Sequence, residues 1–242
     1  MTAFAFDVAT AALGVNGPED NSPQWDDVAW RRYEENVRRL RGRIFKATRD
    51  GDWPTVRNLQ KLMLRSWSNT LVSVRQVAQR NAGRVTAGID GKVALTSSAR
   101  MDLAVQTHRT ARSVAPLAVK RVYIPKANGK QRPLGIPVIA DRVHQARHRN
   151  ALEPEWEARF EPKSYGFRPG RSCQDAISVI HLTACGATAR RVCVLDADLT
   201  AAFDRIDHDH LLATIGMFPG RTKIRDWLKA GVFEPGKGFA PL

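Results

Sequence analysis

The sequence predicts an α+β fold, a helical unit followed by a unit of strands and helices, and three observations predict it. Apolar residues recur at helical spacing from Trp30 to Val77. A strand–turn–strand pattern with Asn128-Gly129 at its centre runs from Arg121 to Pro137. A short apolar run, Val192 to Leu195, stops at two carboxylates, Asp196 and Asp198. A chain of 242 residues is long enough for one large domain or two small ones with a real core.

Taken in order, residues 1–24 end in Gly-Pro-Glu-Asp-Asn-Ser-Pro and read as a mobile leader. Trp30, Tyr33, Val37, Leu40 and Ile44 then mark one face of a helix whose other faces carry Arg31, Arg32, Arg38, Arg39, Arg41, Arg43 and Lys46. Asp50-Gly51-Asp52 is a turn, and Pro54 stands near the start of a second helix, where a proline is tolerated. Val56, Leu59, Leu62, Met63, Trp67, Leu71, Val74 and Val77 give that helix its packed side, with Arg57, Lys61, Arg65 and Arg75 elsewhere. Met63 and Trp67 are expected in the core. The loop Thr86–Gly91 separates this unit from a short helix over 97–110.

The hairpin follows, with Val122 and Ile124 leading in and Leu134 to Ile136 leading out. Asp141 is expected to cap a helix running to Leu152. A loop, Phe160–Ser172, comes next, and Ser172 with Asp175 forms a capping-box pattern for a helix over Gln174–Leu182. The run Val192–Leu195 is expected to be a buried strand, with Cys193 as a small buried hydrophobe. Helix resumes from Leu211. The sequence contains no internal repeat and no low-complexity tract.

Charge narrows the function. Lys and Arg number 38 against 24 acids, a formal net charge of +14. Such an excess implies a polyanionic partner, because neutralising phosphates releases condensed counterions. Among the candidate contacts are the basic flanks of the helices, Arg38, Arg39, Arg57 and Lys61. Three unevenly spaced cysteines without a CxxC pair speak against a disulfide framework or a zinc site. No segment has the length and apolarity of a membrane span, and the N-terminal residues lack the basic region of a signal peptide, so a cytoplasmic protein is expected.

The carboxylates carry the chemistry. Hard oxygen ligands at a strand end suit Mg²⁺, which is held by one or two carboxylates plus substrate phosphates. Two readings of Asp196–Asp204 compete. One is a polymerase palm with Asp198 as metal ligand. The other is a haloacid-dehalogenase-like phosphatase, whose DxDx[TV] pattern is matched by Asp196, Asp198 and Thr200, the first Asp being the nucleophile and the second the general acid/base. A bland pair of acids at a strand end is the third possibility. Context favours the palm, since the phosphatase pattern belongs on the first strand of its domain and only residues 199–242 follow here. Lys126 and Arg132, flanking the hairpin turn, suit contact with a triphosphate. His208, Asp209 and His210 are read as the flank of a helix rather than as a metal site.

The segments RVYIPKANGKQRPLGIP, SYGFRPGRSCQDAI and VLDADLTAAFDRIDH occur in the order and spacing of group II intron-encoded reverse transcriptases (maturases), which residues 25–242 resemble. The helices carrying GDW and VRNLQKLMLRSWSN, with the loop TAGIDG, resemble that family's N-terminal extension. The resemblance implies a leader at 1–24, a helical extension at 25–110, the fingers at 111–191 and part of a right-hand palm at 192–242. It implies that Asp198 is the first catalytic Mg²⁺ ligand and that the Leu199 carbonyl is a further one. Phe203 would lie under the sugar of the incoming nucleotide, and Lys126 and Arg132 would hold its triphosphate. The Tyr165–Arg171 loop would follow the template, with Arg168 and Arg171 on its backbone. The implied partners are intron or template RNA, primer DNA and deoxynucleotides. Ala201 and Ala202 stand where the family often has Gly and a larger residue.

The family's second carboxylate motif, an aromatic-Ala-Asp-Asp turn, is absent from these 242 residues. The expectation is therefore weak or no Mg²⁺ binding and no polymerase activity by this polypeptide alone, with an unpaired sheet edge and exposed apolar surface. Robust primer extension by the purified chain, abolished by Asp198→Ala, would overturn it. A non-catalytic RNA-binding fragment, or one half of a split enzyme completed by a C-terminal half, is the alternative reading.

Overall fold

A computed structural model describes residues 24–110, 114–125, 127, 129–185, 190, 193–199, 202–203 and 205–240. The expected leader, apart from Gln24, and Lys126 of the hairpin lie outside them. The described chain is α+β, with eight α-helices and one four-stranded sheet among these residues.

Helix α1 (Trp30–Arg49) buries Val37, Leu40, Ile44 and Ala47, spaced three and four apart, and leaves its arginines outside. Gly51, at φ 71°, ends the turn that follows. Helix α2 (Trp53–Arg65) starts on Asp52, whose carboxylate accepts from the Thr55 amide at 3.1 Å, with Pro54 in the first turn.

The single helix expected from Pro54 to Val77 is broken in two. Ser66 is extended (φ −70°, ψ 127°), and its hydroxyl caps α3 (Trp67–Arg75) by accepting from the Asn69 amide. The reason is a buried polar network that periodicity does not reveal. Asn69 Nδ2 donates to the carbonyls of Met63 and Arg147, and Asn150 Nδ2 donates to Asn69 Oδ1 at 2.8 Å. Every one of these groups is out of water, so leaving it unpaired would cost roughly 1–3 kcal/mol; the break in the helix is what pairs them. A wider helical turn over Gln76–Arg80 closes the unit.

Helix α4 (Ser97–Arg109) forms as expected and is capped by Thr96. Strands β1 (Val119–Pro125) and β2 (Gln131–Ile136) pair antiparallel with Ile124 opposite Arg132. Helix α5 (Ile139–Arg159) is the spine, packed against α1, α2 and α3. Asp141 is not its cap. It is buried inside the first turn, where it accepts from the Leu117 amide (3.1 Å) and from Trp227 Nε1 (3.2 Å). The Gly88 of the 86–91 loop lies so close to the start of α5 that a Cβ there would sit 2.6 Å from Val138 Cα.

Helix α6 (Cys173–Ala184) carries the capping box read from Ser172 and Asp175, both halves of which are present. It buries no residue, and Ile177, Ile180 and Leu182 are exposed. Helices α7 (His208–Ile215) and α8 (Arg221–Leu228) lead to strands β3 (Val232–Glu234) and β4 (Gly238–Ala240). The sheet order is β2-β1-β3-β4, with β1 parallel to β3.

Two cores result. Trp25, Trp67, Leu71, Val74, Leu103, Ile139 and Val143 form one. Val37, Leu40, Ile44, Leu59, Met63, Ala151, Ile215 and Phe218 form the other, so α7 and Phe218 beyond it pack on the N-terminal helices. Met63 and Trp67 are core residues, as expected. At roughly 1.5–3 kcal/mol for each fully buried large side chain, these cores hold the helical unit against its chain entropy.

Between the cores lies an unusual basic interior. The Arg147 residue is 2% exposed and its guanidinium has no carboxylate partner among the described residues, donating instead to the carbonyls of Thr107 (3.0 Å) and Leu64 (2.6 Å). Burial lowers its pKa to about 10. His144 and His148 beside it are pushed down to about 3 and about 4, first by burial and then by the Arg147 charge. His148 Nδ1 donates to the His144 carbonyl, and its ring meets Trp227 edge-on.

The segment read as a buried palm strand differs from expectation. Cys193–Leu199 is irregular, with Val194, Leu195 and Leu199 exposed, and Cys193 is an exposed thiol. A strand exists by pairing, and among the described residues no strand lies beside this one. Apolar content alone does not make the hydrogen bonds.

Candidate nucleic-acid interface

The cationic side of the molecule is built on α1. Arg31, Arg32, Arg38, Arg39, Arg43, Lys46 and Arg49 are all exposed there, because the helical period places only the Val37–Leu40–Ile44–Ala47 stripe in the core. Lys61 is exposed on α2 and Arg57 half-buried. Some cations are spoken for. Glu34 accepts from Arg75 at 3.0 Å and from Arg80 at 2.8 Å, and Arg41 pairs with Glu153 of α5 at 2.6 Å. The Arg75 guanidinium also stacks 4.3 Å from the Trp30 ring centroid.

The loop Phe160–Ser172 folds around its own arginines. Arg168 Nη2 reaches Glu157 Oε1 at 2.6 Å and its Nε lies within 3.2 Å of both Glu157 oxygens. Its Nη1 donates to the carbonyls of Glu161 (2.6 Å) and Ser164 (2.9 Å). The side chain is 4% exposed. Hydrogen bonding to Arg168 holds the Glu157 carboxyl below its ordinary value, and the same bonds raise the guanidinium. The donors of Arg168, expected on a template backbone, are turned inward onto Glu157 and the loop carbonyls. Arg171 likewise donates to the carbonyls of Pro162 and Ser164 and stacks on Tyr165.

What the loop turns outward is Phe167. It is fully exposed and adopts a positive φ of 58°, an outlier for a bulky residue. Phe167 borders a groove of about 510 Å³ between α1, α5 and the loop, lined also by Arg38, Arg41, Arg149 and Glu153. Sequence reasoning named Arg38 but missed Phe167 and Arg149. The signal for Phe167 was its place between Gly166 and Arg168-Pro169-Gly170, where the backbone turns sharply; nothing in the sequence marked Arg149.

The hairpin puts Arg132 on exposed β2, while Lys126 falls outside the described residues. Asp196, Asp198 and Leu199 lie on the exposed irregular segment, and Phe203 is exposed near it. Among the described residues no three of His, Cys, Asp and Glu gather to hold a metal ion. Asp196 and Asp198 are not joined by a third such group among the described residues. No helix among the described residues is long and apolar enough to cross a membrane.

Comparison with known proteins agrees with this architecture. Residues 25–107 match the family described as the N-terminal domain of reverse transcriptase, and residues 124–240 match reverse transcriptase (RNA-dependent DNA polymerase). The chain is 38% identical over 167 residues to Protein YkfC of Escherichia coli (strain K12), covering 67% of this chain and 44% of that protein. It is 39% identical over 129 residues to the Group II intron-encoded protein LtrA of Lactococcus lactis subsp. cremoris, covering 49% of this chain and 20% of that protein. Maturase-like protein 1 of Euglena gracilis is 27% identical over 186 residues, covering 74% and 40%. The chain thus spans less than half the length of each of these relatives.

Proposed function

Because this chain belongs to the group II intron-type reverse transcriptases and comprises the N-terminal region of one, we propose that it binds RNA through the cationic faces of α1 and α2. The observation that carries the reading is the row of exposed cations on α1, Arg31, Arg32, Arg38, Arg39, Arg43, Lys46 and Arg49, opposite a fully used core stripe. Phosphate contacts from such a row are independent of sequence and strongly salt-dependent. Arg57 and Lys61 extend it onto α2.

Within this proposal the β1–β2 hairpin, with Lys126 and Arg132, faces the triphosphate of an incoming nucleotide. Asp198, the Leu199 carbonyl and Phe203 are assigned to the first metal position and to the sugar, in a site that needs further carboxylates beyond those described. Nothing in the arrangement or in the relatives favours phosphatase chemistry.

The test is a titration of a structured RNA at several salt concentrations, with a variant carrying alanine at Arg31, Arg32, Arg38 and Arg39. Wild-type binding is expected to fall steeply with salt, and the variant to lose affinity with a slope shallower by about 0.7–0.9 per lost contact. Equal affinities and slopes would sink the reading.

A further inference from the structure

A smaller groove, of about 300 Å³, lies between α2, the end of α5 and the turn that joins α7 to α8. Val56, Ile215 and Phe218, all buried in the second core, line its base. Two large apolar side chains beside them stand out instead of packing: Trp53 is 44% exposed and Met217 76%. The turn that carries Met217 is not loose. Gly216 before it takes φ 62°, Phe218 after it is buried, and a Cβ on Gly220 would sit 2.4 Å from His148 Cδ2. The turn is fixed at both ends, so the exposure of Met217 is a property of the fold. The charge of the groove is one-sided. Glu155 is the one carboxylate among its described lining residues, and both its oxygens are engaged, Oε2 by Gln60 Nε2 at 2.7 Å and Oε1 by Arg159 Nη1 at 3.2 Å. Arg57 has no hydrogen bond or ion pair among the described residues. The Arg159 guanidinium lies 4.4 Å from the Trp156 ring centroid, with its side chain 44% exposed.

We infer that this groove docks an acidic peptide segment of a protein partner, with one large apolar side chain seated between Trp53 and Met217 and flanking carboxylates on Arg57 and Arg159. The inference goes beyond the RNA reading and does not depend on it. Tryptophan, methionine and arginine are the residues that protein interfaces concentrate, and a few such anchors carry most of the binding energy. Methionine also adapts its shape to the group it meets. The sign of the partner follows from complementarity. Two guanidinium groups flank the groove and its one acid is already neutralised, so a basic segment is repelled while an acidic one gains charge-assisted hydrogen bonds. Nucleic acid fits less well. The walls of Val56, Ile215 and Met217 offer a base no plane to stack on, and the Arg159 guanidinium already lies 6.0 Å from the Trp53 ring centroid. A volume at the small end of ligand sites suits a side chain better than a nucleotide.

The experiment is fluorescence anisotropy on the full chain with a labelled dodecapeptide of Glu, Asp and Ser carrying one central Phe. The same peptide with Ala for Phe, the same peptide with Lys for every acid, and a single-stranded RNA are the comparison probes. Arg57 serves the RNA reading as well, so the variants are Trp53→Ala, Met217→Ser and Arg159→Ala. Wild type is expected to bind the Phe peptide about 5- to 30-fold more tightly than the Ala peptide, and the Lys peptide not at all. Trp53→Ala and Met217→Ser should each remove most of that preference while RNA affinity and its salt slope stay unchanged. Arg159→Ala should weaken both acidic peptides alike. Equal binding of the Phe and Ala peptides by wild type, or a Met217→Ser protein that keeps the preference, would reduce the attraction to net charge and overturn the docking site with the RNA reading untouched. Loss of RNA affinity in Trp53→Ala and Met217→Ser, with peptide binding unaffected, would give the groove to nucleic acid. Self-association of wild type in sedimentation, abolished by Met217→Ser, would give it to a second copy. Either result overturns the proposal. Met217 lies outside the core, so Met217→Ser tests the site even where Trp53→Ala disturbs α2, and far-ultraviolet circular dichroism checks each fold.

Discussion

Arg168 and Glu157 form a two-pronged ion pair, closed at 2.6 Å, that fastens the 160–172 loop to the last turns of α5. The carbonyls of Glu161 and Ser164 accept from the same guanidinium, so one side chain ties two points of the loop to α5. Arg168→Lys keeps the charge but loses the planar fork. The expected outcome is a loop that becomes sensitive to limited proteolysis between 160 and 172 in both Arg168→Lys and Glu157→Gln, while the helical core keeps its protection. Cleavage at the wild-type rate would show that the pair does not hold the loop. The Glu157 carboxyl titrates below its usual range, so its contribution is present above about pH 4.5 and is lost as pH falls through the lowered value.

Phe167→Gly should raise stability, because Phe167 is exposed and holds a φ of 58°. A non-glycine residue in the left-handed region is disfavoured by about 1–2 kcal/mol, part of which glycine gives back through its own greater chain entropy. A gain of about 1 kcal/mol in chemical denaturation is expected. A destabilised variant would mean that Phe167 packs against something in solution.

Acid should unfold the helical unit through its histidines. His144 and His148 are neutral in the fold, with values lowered to about 3 and about 4, but titrate near 6.5 when unfolded. The unfolded chain therefore binds more protons between these limits. Stability is full above about pH 6.5 and declines as pH falls toward 4, by on the order of 2 kcal/mol per buried histidine at pH 5. Denaturant midpoints from pH 8 to 4 check this, and His148→Gln should flatten the decline. A midpoint constant down to pH 5 would contradict the buried neutral state.

Gly88→Ala should destabilise the joint between the 86–91 loop and α5. The added Cβ would lie 2.6 Å from Val138 Cα and 2.7 Å from Val138 N, backbone atoms that cannot swing away. Overpacking of this kind costs about 1–3 kcal/mol. An unchanged melting temperature would show that the loop relaxes freely.

Much of this molecule was legible in the residues themselves. The α1 stripe, the turn at Asp50–Asp52, the Ser172 cap, the β1–β2 hairpin and the burial of Met63 and Trp67 follow from local rules, because each depends on residues within a few positions of one another. The order of three motifs also identified the family, since matching several spacings at once leaves few alternatives. Tertiary structure alone decided the rest. It broke the second helix at Ser66 because Asn69 finds Asn150 more than eighty residues away, and it moved Asp141 from cap to buried acceptor because Trp227 comes to meet it. It also turned Arg168 inward onto Glu157 and Phe167 outward, an arrangement that no local spacing in the loop announces. Cys193–Leu199 stayed irregular because backbone groups are satisfied by a neighbouring strand, and that neighbour is a property of the assembled sheet, not of the apolar run.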